Sequence, residues 1–267
     1  MDLFACCITC SQKKGFPFLN QFSASYFDDQ IARVTCNQGH EMAIIVYAPK
    51  YELLLESGAD ALNYDFTLEA SASFSAALER FFEFSINVML KNLNMQGDVY
   101  QTMFNSMSRQ SERQLGAFFV LHALVFGEAY KPNKNLTEFR NAVIHKGKIP
   151  TPEETKQFCE LVYSEIYKVA NLLIDRCKNE ITLVLDEEFE KRASKINDDI
   201  RVHRAKKSSV FSILGDNNKP TFEKAFENYN SFKKTLEKVA KDIPSIQQHI
   251  ESNSEIQSMI NEIRTKE

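Results

Sequence analysis

Apolar and polar residues recur with different periods along this chain, and the changes of period divide it into three parts. Within residues 1–50, two short β-rich runs, Ile31 to Thr35 and Met42 to Tyr47, flank a turn at Asn37-Gln38-Gly39 and predict a hairpin. Over residues 51–189 the period becomes helical. Leu68, Ala72, Ser75, Leu78, Phe82, Ser85 and Met89 share one stripe, which predicts an amphipathic helix over 66–90. A loop near 92–98 leads to an apolar helix over 111–126, and Gly127 to Lys134 interrupt the pattern. Asn135 with Glu138 three residues on reads as a capping box, and Gly147 and Pro150 read as stops. A short helix over 136–146 follows from these signals. A long helix begins near Pro152, with Phe158, Leu161, Val162, Ile166, Val169, Leu173, Cys177, Ile181 and Val184 on its buried side.

Residues 190–267 differ again. Phe222, Ala225, Tyr229, Phe232, Leu236 and Val239 recur at alternating steps of three and four, a heptad seam that Pro244 is expected to stop. A weaker helical pattern resumes at Ile246. The seam suits either a helical hairpin on its own domain or a coiled coil with another chain, through which a regulatory protein partner would bind. The sequence contains no internal repeat.

The chain has 267 residues, 43% apolar and 25% charged, enough to bury a sizeable core and to exclude wholesale disorder. Gly (8) and Pro (7) are too few for the turns of an all-β protein, so the expected class is mainly α. The net charge of −4 argues against indiscriminate coating of nucleic acid. Residues 140–148 nonetheless carry Arg140, Lys146 and Lys148 with no acid, and a second basic run, Arg201-Val202-His203-Arg204-Ala205-Lys206-Lys207, lies further on. Read as a solvated helix face, that run is unremarkable; read functionally, Arg201 and Arg204 contact an RNA backbone. The N-terminus lacks the basic and apolar regions of a secretory signal. The longest apolar run, 115–126, is too short to span a bilayer and contains His122, which reads as a core histidine. A soluble cytoplasmic protein without membrane contact is expected, and in that reducing setting the six cysteines point to metal rather than disulfides.

Cys7-x2-Cys10 and Cys36-x3-His40 form two closely spaced pairs, the form in which zinc takes four soft or borderline ligands from separate turns. Cys6 competes with Cys7 for the first position. Four protein ligands close the shell, so one structural Zn2+ would fold a zinc-ribbon-like unit and take no part in catalysis. Cys159 and Cys177 lie on the buried stripe of the long helix and read as core.

Asn141 and His145 stand four residues apart on the same predicted helix face, so the amide can orient the imidazole. Arg140 precedes His145 by five residues, about 140° around an α-helix. Arg140-Asn141-x3-His145 resembles the R-x4-6-H motif of HEPN domains. The Ala77-to-Phe84 helix before it and the long helix after it are similar to that family's order over about 60–186. The resemblance implies a helical bundle, a homodimer with a composite cleft, and metal-independent RNA cleavage by the ribose 2′-hydroxyl. His145 would transfer the proton, Arg140 would meet the developing phosphorane charge and Asn141 would position the phosphate or the ring. Lys146 and Lys148 would hold RNA, tRNA being one candidate. Glu79 and Glu83, four apart on the preceding helix, would either orient Arg140 or simply neutralise it. The family points to a prokaryotic antiviral defence or toxin role. Two other readings stand beside it: a catalytically silent adaptor that binds protein, and a zinc-ribbon nucleic-acid binder that does not cut.

Overall fold

The computed structural model describes residues 2–14, 19–23, 26–95, 97–107, 111–205, 210–215, 221–256 and 258–259. It is mainly helical and divides into two compact units. Residues 1–47, 188–207 and 230–267 form the first, and residues 48–187 and 208–229 the second. These units cut across the three-part reading, because two segments of the C-terminal third join different units.

The first unit opens with strand β1 (Asp2–Cys6), helix α1 (Ile8–Lys14) and strand β2 (Leu19–Ser23), with β1 and β2 antiparallel. Strands β3 (Ile31–Thr35) and β4 (Glu41–Val46) make the expected hairpin. Gly39, at the turn, has φ +77°, a conformation that a residue without Cβ enters at little cost. The basic run then departs from its helical reading. Arg201–Ala205 is strand β5, which pairs in parallel with β4, Met42 opposite Arg201 and Val46 opposite Ala205. Parallel partners need a long crossover, so no local pattern announces such a strand. Lys206 and Lys207 lie outside the described residues. One sheet face is apolar: Ile31, Ala43, Ile45 and Ile196 form a cluster, with Phe189, Ala193, Ile200 and Val202 against it.

The second unit is helical: α2 (Lys50–Asn63), α3 (Thr67–Asn92), α4 (Gly97–Met107), α5 (Ser111–Phe126) and α6 (Lys134–Arg140), then a π-helical turn (Asn141–His145). The long α7 (Pro152–Ala193) carries its first 36 residues here, with a break in helical geometry at Cys177 (φ −126°, ψ 31°). Thr151 and Glu154 cap its start reciprocally: Glu154 N–H donates to Thr151 Oγ1 (3.2 Å) and Thr151 N–H to Glu154 Oε2 (2.9 Å). The expected stripe of α7 is buried except for Leu161, which is half-buried.

Three sequence readings need correction. On α3 the buried line runs through Ala70, Phe74, Ala77, Phe81, Phe84 and Val88, while Leu68 is exposed and Ala72, Leu78 and Phe82 are only half-buried. The helix packs against both α2 and α5 and is apolar on more than one side, so a single stripe mislocates its centre. The cap of α6 is Asn133, whose side chain accepts the Asn135 N–H (3.0 Å), and the segment is α-helical only to Arg140, continuing as the π turn to His145, close to the expected end. Pro244 does not stop the last helix; α8 runs Phe222–Ser252, because a proline removes one backbone hydrogen bond without excluding helical φ. The first half of the heptad seam packs within the second unit: Phe222 lies edge-on to Phe74 (5.5 Å), and the Tyr229 hydroxyl donates to Asp60 Oδ1 (2.9 Å) and Glu56 Oε1 (3.3 Å). Phe232 and Val239, further along, are exposed.

Candidate functional site

Two local structures bring the four metal-ligand candidates together. Cys7 stands at the start of α1, where its carbonyl accepts both the backbone N–H (2.8 Å) and the hydroxyl (2.9 Å) of Ser11. That turn aims the Cys10 N–H at Cys7 Sγ (3.4 Å). The β3–β4 turn supplies the second pair. Cys36 N–H donates to the His40 carbonyl (3.0 Å), Gly39 N–H to the Cys36 carbonyl (2.8 Å), and the backbone N–H groups of Gln38 and His40 point at Cys36 Sγ. Of the adjacent candidates Cys6 and Cys7, Cys7 joins the cluster; Cys6 closes β1.

The ligand atoms of Cys7, Cys10, Cys36 and His40 lie within 4.8 Å of one another, with the three cysteines buried and the histidine half-buried. A tetrahedral ion with metal–sulfur and metal–nitrogen bonds of about 2.3 and 2.0–2.1 Å requires edges of about 3.8 Å between sulfurs and about 3.6 Å between sulfur and nitrogen. Cys10 Sγ and Cys36 Sγ are 3.7 Å apart. His40 Nδ1 stands 3.7, 3.3 and 3.5 Å from the sulfurs of Cys7, Cys10 and Cys36. The site is able to hold a metal ion with little rearrangement. The N–H groups of Gln38 and His40 that face Cys36 Sγ already stabilise the thiolate charge that ligation requires.

The electrostatics agree with that need. Burial pushes the Cys10 thiol up to about 12, reinforced by hydrogen bonds with Cys7 and Cys36 and by their like charge. Burial also raises Cys36, but the N–H groups of Gln38 and His40 and the neighbouring thiols outweigh it, so its net direction is down. Three thiolates do not coexist in so small a volume without a cation. His40 Nε2 faces Lys13 Nζ at 3.4 Å. Ligation through Nδ1 leaves the ring proton on Nε2, so a Lys13 hydrogen bond and a bound metal exclude one another in the neutral ring.

The Arg140–His145 stretch has a different geometry from the helix expected for it. The Lys146 N–H bonds the Asn141 carbonyl (3.2 Å), an i→i+5 closure. Such a turn stacks residues five apart, so its register draws His145 closer to Arg140 around the axis than an α-helix does. Arg140 makes an ion pair with Glu79 of α3, both side chains partly exposed. Glu83 pairs instead with Arg80 on its own helix. Arg140, Asn141 and Glu79 line a cavity of about 180 Å³, floored by Leu136 and Phe158. His145 is exposed and is not among the lining residues.

The remaining candidates are spread out. Lys146 is exposed; Lys148 pairs with Glu154 (2.6 Å) and lies 5.6 Å from the centre of the Phe139 ring. In the first unit, Arg201 donates to Gln12 Oε1 (2.7 Å). The Arg204 guanidinium is stacked against Tyr47 (4.4 Å) and Phe189 (4.1 Å). His122 is a core residue, its Nδ1 3.0 Å from the Glu128 carbonyl. Cys159 and Cys177 are buried; burial pushes Cys159 well up and Cys177 up to about 11, which suits core thiols. Gln114 and Glu112, at the start of α5, also line the cavity. Sequence reasoning passed over both, and the one available signal was a lone amide at the edge of an apolar run. No family model matches the sequence, nor does any curated protein or solved structure.

Proposed function

We propose that this protein is a metal-independent endoribonuclease of HEPN type, with Arg140, Asn141 and His145 as its active centre, and that a structural zinc ion in a zinc-ribbon-like unit stabilises its N-terminal segment. The observation that carries the reading is the crowding of chemistry at one place. Arg140 and Asn141 border a cavity, and five residues past Arg140 the π turn ends in an exposed histidine followed by Lys146 and Lys148. Zinc is the metal of choice because three thiolates and one imidazole are its usual structural set, and four ligands leave no open position for substrate.

In the proposed reaction the His145 imidazole accepts the proton of a ribose 2′-hydroxyl while that oxygen bonds to the adjacent phosphorus. The P–O5′ bond breaks, leaving a 2′,3′-cyclic phosphate and a 5′-oxygen that becomes a hydroxyl by taking a proton from water, while the imidazolium returns its proton to solvent. Arg140 meets the charge of the phosphorane; its guanidinium has five N–H groups, so the Glu79 carboxylate holds one edge and leaves others for phosphate. Proton transfer by a positioned imidazole supplies roughly 10²–10⁴-fold of the rate. Two protomers pair to complete the cleft, the protein works in the cytoplasm, and the RNA belongs to a host or invader in a defence or toxin system. The helical unit is read as a HEPN-like bundle.

Two observations favour a second reading. The Arg140–Glu79 ion pair already neutralises the cation, and the exposed Phe232 and Val239 continue the heptad seam. Both suit a silent adaptor that binds a protein partner. Incubation of zinc-loaded protein with labelled tRNA and single-stranded RNA, in buffer free of added metal, separates the two. Cleavage by wild type, with losses of about 10²-fold or more in His145→Ala and Arg140→Ala, supports the nuclease. Equal cleavage by His145→Ala, or none by any form, removes it.

A further inference from the structure

The Gln114 side chain is 3% exposed, yet its Nε2 has no hydrogen-bond partner among the described residues. It lines the same cavity as Arg140. A buried amide N–H2 without an acceptor is destabilising, and folded proteins retain few of them. An acceptor atom on a ligand removes that cost.

The rest of the cavity specifies the ligand's character. Phe82, Leu136 and Phe158 give it apolar walls suited to a flat ring. Of the charged lining residues, Glu112 is exposed and Glu79 and Arg140 pair with each other at partly exposed positions, so the buried end of the cavity is uncharged. At about 180 Å³ the cavity is smaller than the roughly 300 Å³ at which drug-sized ligands begin, which suits one heteroaromatic ring system rather than a whole nucleotide. Glu112 and Thr137 are exposed while Gln114, Leu136 and Phe158 are buried, so the cavity opens on one side and ends at the amide. A neutral, flat ring that carries both acceptors and donors at its rim meets all these conditions.

We infer that the cavity beside Arg140 is a nucleobase subsite, with the Gln114 amide donating to a ring nitrogen or carbonyl of the base. The base enters the cavity and its sugar-phosphate stays outside, on the side of Asn141. That the base belongs to an RNA strand rests on the ribonuclease reading; the ring chemistry is shared by a free nucleoside.

Titration calorimetry on the full chain tests this with adenosine, guanosine, cytidine and uridine, and with ribose 5-phosphate as the ring-free control. Gln114→Leu removes the donor, and Leu78→Trp fills the cavity from a half-buried position. The expected result is saturable binding of at least one nucleoside, none of ribose 5-phosphate, and a loss of about tenfold or more in both variants. Gln114→Leu should melt at the same temperature as wild type or higher, since it deletes an unpaired polar group, and this separates lost binding from lost folding. No nucleoside binding to wild type, or unchanged binding in both variants, overturns the subsite. RNA cleavage is read separately. If wild type cuts RNA without base preference and binds no nucleoside, the subsite fails and the nuclease stands. If nucleosides bind in a Gln114-dependent way and no RNA is cut, the subsite stands and the nuclease fails.

Discussion

Glu52 makes the fold sensitive to pH in a direction opposite to that of most carboxylates. It stands in the first turn of α2 and is 1% exposed. Its Oε1 accepts the Ile213 N–H (2.7 Å) and the Tyr51 hydroxyl (3.3 Å). Burial pushes its pKa up from 4.5 to about 8, outweighing the Ile213, Tyr51 and Ser212 hydrogen bonds that favour the anion. The folded protein therefore keeps a proton that the unfolded chain releases. Stability is full below pH 4.5, declines as pH rises through the interval, and levels off above 8. Each unit of the interval is worth about 1.4 kcal/mol, so this group subtracts about 1 kcal/mol at pH 5 and about 4 kcal/mol at pH 8. Glu52→Gln keeps the shape and a carbonyl for the Ile213 N–H but cannot ionise. Urea unfolding from pH 5 to 8 should show wild type losing about 3 kcal/mol relative to the variant, with the variant more stable at pH 8. Other carboxylates shift both proteins alike and cancel in the difference. Parallel stability profiles for the two proteins would refute the assignment.

Three further perturbations address other parts of the molecule. Purified protein should carry one zinc per chain by elemental analysis; Cys36→Ser should lower that content, and chelation should unfold the first unit, exposing its thiols to Ellman's reagent, while most helical circular dichroism persists. Full thiol protection after the metal is removed would count against a structural ion. Gly58→Ala should destabilise by about 1–3 kcal/mol in thermal melts despite the better helix propensity of alanine, because the new Cβ meets Phe74 Cδ2 at 2.5 Å and Phe74 is fully buried. Asn133→Ala should cost about 1 kcal/mol through loss of the Asn135 N–H bond, whereas Asn135→Ala should cost distinctly less; equal effects would show that the cap is misplaced.

The cysteine and histidine spacing was legible because each pair is held by a turn of a few residues: the start of α1 for Cys7 and Cys10, the β3–β4 turn for Cys36 and His40. The same holds for the bounds of α5, the start of α7 and the hairpin, all of which depend on short-range periodicity and local capping. That Cys7 joins the cluster, by contrast, depends on its side chain reaching a turn about 30 residues away. Strand β5 exists because its hydrogen-bonding partner, β4, lies some 160 residues earlier, and nothing within Arg201–Ala205 announces that neighbour. The π turn at Asn141–His145 changes the angle between Arg140 and His145 that an α-helical reading assigns. Burial, finally, is a property of the whole unit. Glu52 and Gln114 look like surface residues in the sequence, and only the packing of the helical unit buries the one as a carboxyl with a raised pKa and leaves the other's N–H2 without an acceptor among the described residues. Sequence by itself determined the helical class, the β3–β4 turn and the two closely spaced Cys/His pairs, whose causes are local. Tertiary structure decided desolvation, strand partners and cavity lining, because these depend on what distant segments place beside a residue.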